Sequence, residues 1–181
     1  MSKYDILFLT MAVIGLVFPT ILYPIVVKKK FNNDKYPTSY SGTYSIFYKI
    51  SQKTKRHFEH IFTCWTNQHC LLLTPALCYY SKDVYNSLIG VIALGSLMYV
   101  GAFPSGIKKE VTRIHCVFAE LCAAFAMLWL IRQGFFVPTA IFALVCFIWA
   151  KVWQKDYETI IMEFMAFTAA YVGVIMCALK V

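Results

Sequence analysis

Five polar side chains interrupt stretches that are otherwise apolar: Asn67, Gln68 and His69 in one, Glu120 in a second and Glu163 in a third. A charged group at the centre of a lipid-embedded helix costs roughly 2.5–3.5 kcal/mol on insertion scales, so such residues are rare and tied to function or architecture. Carboxylates accept hydrogen bonds from amides and imidazoles, so these five groups have the chemistry for a shared polar site. Three readings stand side by side. The residues form a site for a small or lipid-like ligand or a proton, they clamp the helices in register, or some of them face lipid. A second set, His57, His60, Arg113 and His115, falls where apolar stretches meet polar ones. Imidazole nitrogens with a nearby carboxylate are acceptable zinc ligands. Binding or transport of a small or lipid-like ligand through a cytoplasm-facing polar layer is the leading expectation; His57, His60, His69 and His115 with Glu120 or Glu163 as base define a metal-dependent lipid hydrolase as one alternative, and a structural subunit of a larger membrane complex is another. No HExxH pair, P-loop, GxSxG elbow or GxGxxG run accompanies them.

The elements that must position these groups are membrane-length. Six apolar runs cover residues 6–27, 61–80, 87–103, 114–131, 135–150 and 157–179. The 181-residue chain is 60% hydrophobic and 14% charged, against roughly 25% charged in soluble domains, so its surplus apolar surface belongs in lipid. Backbone groups in lipid bond within their own segment, which makes each run a helix. The fold class expected is all-α: a polytopic integral membrane protein with six transmembrane helices, a single bundle over residues 1–181.

Charge sets the threading. Alternating the loops between two sides places 13 of the 17 Lys and Arg on one side, among them Lys28, Lys29, Lys30, Lys53, Arg56, Lys108, Lys109, Arg113, Lys151 and Lys155, and leaves only Lys3, Lys82, Arg132 and Lys180 on the other. The positive-inside rule reads this as a cytoplasmic-membrane protein with both termini outside and loop 28–60 in the cytoplasm. Without the span at 61–80 the split falls to 11 against 6, so the charges favour six spans over five. Spans two, four and six then run outward. Asn67, Glu120 and Glu163 are each the seventh residue of their span, about 9–12 Å below the cytoplasmic boundary at 1.5 Å per residue. A common depth on three helices is the basis of the expected polar layer. Glu120 lies roughly 140° around its helix from His115, so those two do not aim at one centre.

The first loop is the one sizeable extramembrane element. In its back half Ile46, Phe47, Ile50, His57, Phe58 and Ile61 recur at helical spacing, with Lys49, Lys53, Lys55 and Arg56 mostly off that stripe. This predicts a basic amphipathic helix lying in the interface. The net charge of +8 is concentrated around this loop and fits anionic lipid headgroups rather than nucleic acid. The partners expected are the bilayer, those headgroups and other membrane proteins. The run at 6–27 exceeds a signal-peptide core and is followed by lysines, so it is read as a retained helix, kinked at Pro19 and Pro24. All seven cysteines lie in apolar runs and read as packing residues. Small residues on one face of span four (His115, Ala119, Cys122, Ala123, Ala126) and the pairs Ala166/Ala170 and Ala169/Gly173 in span six predict close helix contacts.

Residues 89–126 resemble a loosely defined group of uncharacterised six-helix bacterial membrane proteins. The shared pattern is Gly-x-Phe-Pro, here Gly101, Phe103 and Pro104, followed by a helix opening His-x-x-x-Ala at His115 and Ala119. The stretch Pro37 to Ser41 is similar to a Pro-Ser-x-Ser loop in such proteins, and the layout resembles Frag-type proteins linked to lipid-anchor remodelling. The resemblance implies six helices and directs attention to His115 and the first loop. Ceramidase- and adiponectin-receptor-type hydrolases carry seven spans and a His-x-x-x-His pair in the last helix, which the last span here lacks.

Overall fold

The computed structural model describes residues 1–32, 35–58, 60–105, 109–153 and 158–180. Lys108, Lys155 and residue 157, the expected start of the last span, lie outside the described residues, as do the side chains of Cys146 and Lys151.

Every regular element among the described residues is helical. The order is α1 (Lys3–Gly15), a π-helical segment (Leu16–Leu22), α2 (Tyr23–Phe31), α3 (Thr43–Thr54), α4 (His60–Tyr80), α5 (Val84–Ala102), α6 (Lys109–Arg132), α7 (Phe136–Trp153) and α8 (Glu158–Leu179). Among the described residues four segments are long and apolar enough to cross a membrane: Lys3–Phe31, Val84–Ala102, Lys109–Arg132 and Thr159–Leu179. Helices α4 and α7 occupy the remaining two apolar runs. The loop helix α3 begins earlier than the periodicity implied, at Thr43, and it ends earlier because Lys55 adopts a left-handed conformation (φ 55°) that stops it.

Helices α4, α5 and α6 alternate in direction, since the start of α4 meets the end of α5 (Thr63 to Gly101) and the start of α5 meets the end of α6 (Asp83 to Arg132). Helix α5 lies between α4 and α6, while α8 contacts α1, α4, α6, α7 and the π segment. Each end of the bundle carries its own polar contacts. At one end Ser2 and Asp5 form a reciprocal cap on α1 (2.7 and 3.1 Å), and the Tyr80 hydroxyl donates to Asp5 (3.1 Å). There Arg132 pairs with Asp83 (2.7 Å), and Gln133 donates to the Tyr80 carbonyl (2.9 Å). At the other end Thr63 donates to the Gly101 carbonyl (3.1 Å) and His115 Nδ1 meets the Phe103 carbonyl (2.9 Å). The lysines of the sparse set, Lys3, Lys82 and Lys180, belong to the first end by chain position.

Small residues set the closest approaches. Gly15 leaves room for the Tyr171 ring of α8, which a Cβ would strike, and Gly173 does the same for the Leu130 side chain of α6. Between these contacts Phe8, Ala12, Leu73, Leu77, Leu97, Trp129 and Val174 fill the interior. The outward surface carries large apolar groups, including Ile6, Leu71, Val91, Val117, Val137 and Val152. A surface so rich in them is what a lipid environment accommodates.

Candidate functional site

Two prolines five residues apart shape the C-terminal half of the first helical segment, Lys3–Phe31. Pro19 has no N–H for the Gly15 carbonyl, and the Thr20 hydroxyl donates to it instead (2.9 Å). The chain widens into a π-helix, so the Tyr23 N–H reaches back to Phe18. That leaves the Pro19 carbonyl without its α-helical donor. Pro24, in turn, has no N–H to give Thr20. Side chains from elsewhere meet both acceptors: Trp65 Nε1 donates to Pro19 (2.6 Å) and the Tyr40 hydroxyl to Thr20 (2.5 Å). Buried carbonyls are satisfied in this way or at a cost of about 1–3 kcal/mol each.

The first loop is thereby drawn into the bundle. Pro37, Tyr40, Ser41 and Thr43 are buried. Tyr23 bonds the Thr43 hydroxyl (2.7 Å), and Ile160 N–H donates to the Thr38 carbonyl (3.0 Å). Glu163 accepts from the Tyr40 backbone N–H (2.6 Å). The ring of Tyr40 stacks on Trp65 (centroids 4.8 Å apart), Trp65 meets His69 edge-on (4.5 Å), and His69 stacks on Phe167 (4.1 Å). His69 Nδ1 bonds the Tyr171 hydroxyl (2.8 Å), and its Nε2 is buried without a partner among the described residues. These rings touch one another. The assembly is a packed aromatic core that ties the loop, the π segment, α4 and α8 together.

The sequence-derived polar layer divides. His69 lies inside, and Glu163 is bonded to the loop from α8, with Phe167 one turn further along that helix. Asn67 and Gln68 point away from the bundle, as does Glu120. None of these three has a hydrogen-bond partner among the described residues. The expectation that all five converge is corrected accordingly. In α4 successive residues are 100° apart, so the buried stripe through Trp65, His69 and Leu73 turns Asn67 and Gln68 outward. On α6 the buried His115 fixes the inner face, which puts Glu120 on the opposite one.

The four boundary residues do not form one cluster. His57 and His60 have ring centroids 5.8 Å apart, His115 is committed to Phe103, and Arg113 is exposed beside Lys109 and Cys116 in a shallow depression. Among the described residues no three His, Cys, Asp or Glu side chains stand close enough to hold a metal ion. Of the small-residue faces, Ala170 and Gly173 are buried, whereas Ala123 and Ala166 are exposed.

Tyr40, Trp65 and Tyr171, none of them among the residues expected from the sequence, carry interior hydrogen bonds to Thr20, Pro19 and His69. The signal for the first two was present: Pro19 and Pro24 remove two N–H groups from one apolar helix, so side-chain donors were required somewhere. No family model, curated protein or solved structure is significantly similar to this chain.

Proposed function

We propose that this chain is a six-span protein of the cytoplasmic membrane, with both termini outside, that acts as a subunit by associating with other membrane-embedded helices. The observation that carries the reading is the outward orientation of Asn67 and Gln68 on α4 and of Glu120 on α6. Facing hydrocarbon alone, such groups are costly. Facing another helix, they form interhelical hydrogen bonds that contribute about 0.6 kcal/mol on average and up to about 1–2. The threading draws support from the gathering of Asp5, Tyr80, Asp83 and Arg132 at one end of the bundle. That is the end to which the alternating-loop count assigns few positive charges. The basic helix α3, with Phe47 buried and Lys49 and Lys53 exposed, suits a surface of anionic headgroups.

Ligand binding at the inner groups has less support, since Glu163 and His69 Nδ1 are occupied by Tyr40 and Tyr171. The hydrolase alternative has less still, given how the histidines are separated. The test is co-purification from membranes in a mild detergent with wild-type chain and with Asn67→Leu/Gln68→Leu and Glu120→Leu. Wild type is expected to carry partner chains, and at least one variant to lose them while keeping its helical content. Identical partner profiles for all three would refute the reading.

A further inference from the structure

We infer that the partner on α4 is a second copy of this chain, joined in a parallel two-fold dimer along the outward face of that helix; this rests on the association proposed above. The face is a continuous seam. Cys64, Asn67, Gln68, Leu71, Pro75 and Cys78 are all exposed, and Leu71 is 72% exposed although it is the middle residue of the set.

Their spacing is that of a coiled-coil interface. Cys64, Leu71 and Cys78 recur every seven residues, with Asn67 and Thr74 at the intermediate positions. Two helices that share such a repeat keep one seam in contact over several turns. Within the bundle α4 is already engaged on its opposite side, through Trp65, His69, Leu73 and Leu77. The seam is therefore left free for an external helix.

The polar chemistry of the seam selects the occupant. A carboxylate facing its own symmetry mate repels it. A carboxamide carries both a donor and an acceptor, so Asn67 and Gln68 pair with the same residues of an identical helix without any unlike partner. Pro75 also withholds its N–H from the Leu71 carbonyl, which places a backbone acceptor within the same face. Two copies threaded alike in one bilayer are related by an axis along the membrane normal. Their α4 helices run parallel, and each seam residue meets its own counterpart.

Cys64 and Cys78 make the prediction directly readable, because each lies one heptad from Leu71 and both are exposed free thiols. The experiment is mild copper-phenanthroline oxidation of the full chain in native membranes, followed by non-reducing electrophoresis and mass-spectrometric mapping of the disulfide. In this step two thiols lose two electrons and two protons to oxygen and form one S–S bond. The expected product has twice the 20.8 kDa chain mass and carries a Cys64–Cys64 or Cys78–Cys78 linkage. It should fall at least several-fold in Asn67→Leu/Gln68→Leu, which leaves both thiols and the core intact. A homodimer linked only through Cys116 of α6 would overturn the α4 seam. An α4 adduct with a different polypeptide would overturn the second-copy inference while leaving the association reading standing. A chain that forms no adduct and extracts as a single copy without partners would overturn both.

Discussion

Removing the Tyr40 hydroxyl probes the link between sequence and fold at its sharpest point. Tyr40 and Thr20 are 1% and 0% exposed, and their hydrogen bond runs from the loop to a carbonyl that Pro24 leaves without an α-helical donor. Tyr40→Phe keeps the ring, its stack on Trp65 and almost all of its apolar area, so the perturbation is confined to one acceptor. Leaving that acceptor buried and unmet costs about 1–3 kcal/mol; membrane hydrogen bonds measured by mutant cycles sit towards the lower end. Pro24→Ala supplies the missing N–H at the α-helical position for Thr20. If the account is right, Tyr40→Phe is less damaging in the Pro24→Ala background, with a coupling energy of about 1 kcal/mol, well inside the range of contacting residues. The assay is reversible unfolding in mixed detergent–SDS micelles, followed by circular dichroism for the four chains of the cycle. Additive costs, with no coupling beyond about 0.3–0.5 kcal/mol, would refute the claim that the prolines create the acceptors that anchor the loop.

Further perturbations test other joints of the structure. Gly15→Ala places a methyl group against the Tyr171 ring and should destabilise by about 1–3 kcal/mol through overpacking, read in the same micelle titration; an unchanged midpoint would mean that α1 and α8 do not approach so closely. Glu163→Leu removes the acceptor of the Tyr40 N–H, whereas Glu163→Gln retains one, so hydrogen exchange at Tyr40 should accelerate markedly in the first variant and little in the second. Acceptance of the Asn86 N–H, helped by Arg132, holds the Asp83 carboxyl below the usual carboxylate range. Its capping contribution is thus fully present above pH about 4 and fades as the pH falls through the lowered value, so NMR shifts of Val84 to Asn86 should report fraying of α5 only in acid. Epitope tags before Met1 and after Val181 should both be reached by antibody on intact cells, while a tag beside Lys35 should need permeabilisation.

Helix positions were largely legible from the sequence because hydrophobic run length fixes them. The apolar runs ending at Tyr80 and near Leu179 each coincide with a helix within a few residues, and Lys55 explains the main shift at α3. Orientation around each helix was far less legible. Asn67, Glu120 and Glu163 share an axial position, but depth says nothing about azimuth. In this bundle apolar residues line both the inner and the outer face, so no amphipathic stripe distinguishes them. The buried face of α4 is set by Trp65 and His69, whose inward direction depends on the Pro19 carbonyl and on Tyr171. Both partners are remote in sequence, and Tyr171 reaches His69 only because Gly15 makes room for its ring. The loop was harder again. Its serines and tyrosines carry no periodicity, and their burial follows from orphaned carbonyls on another element.

In the proposed function α4 and α6 carry their amides and carboxylate on surfaces meant for other chains. Polymer extraction of the protein with its native lipids, without detergent, followed by mass determination of the particle's protein content, measures this directly. A protein mass of at least two chains, well above 20.8 kDa, is expected; a uniform population holding one chain and no other polypeptide would show that these faces meet only lipid.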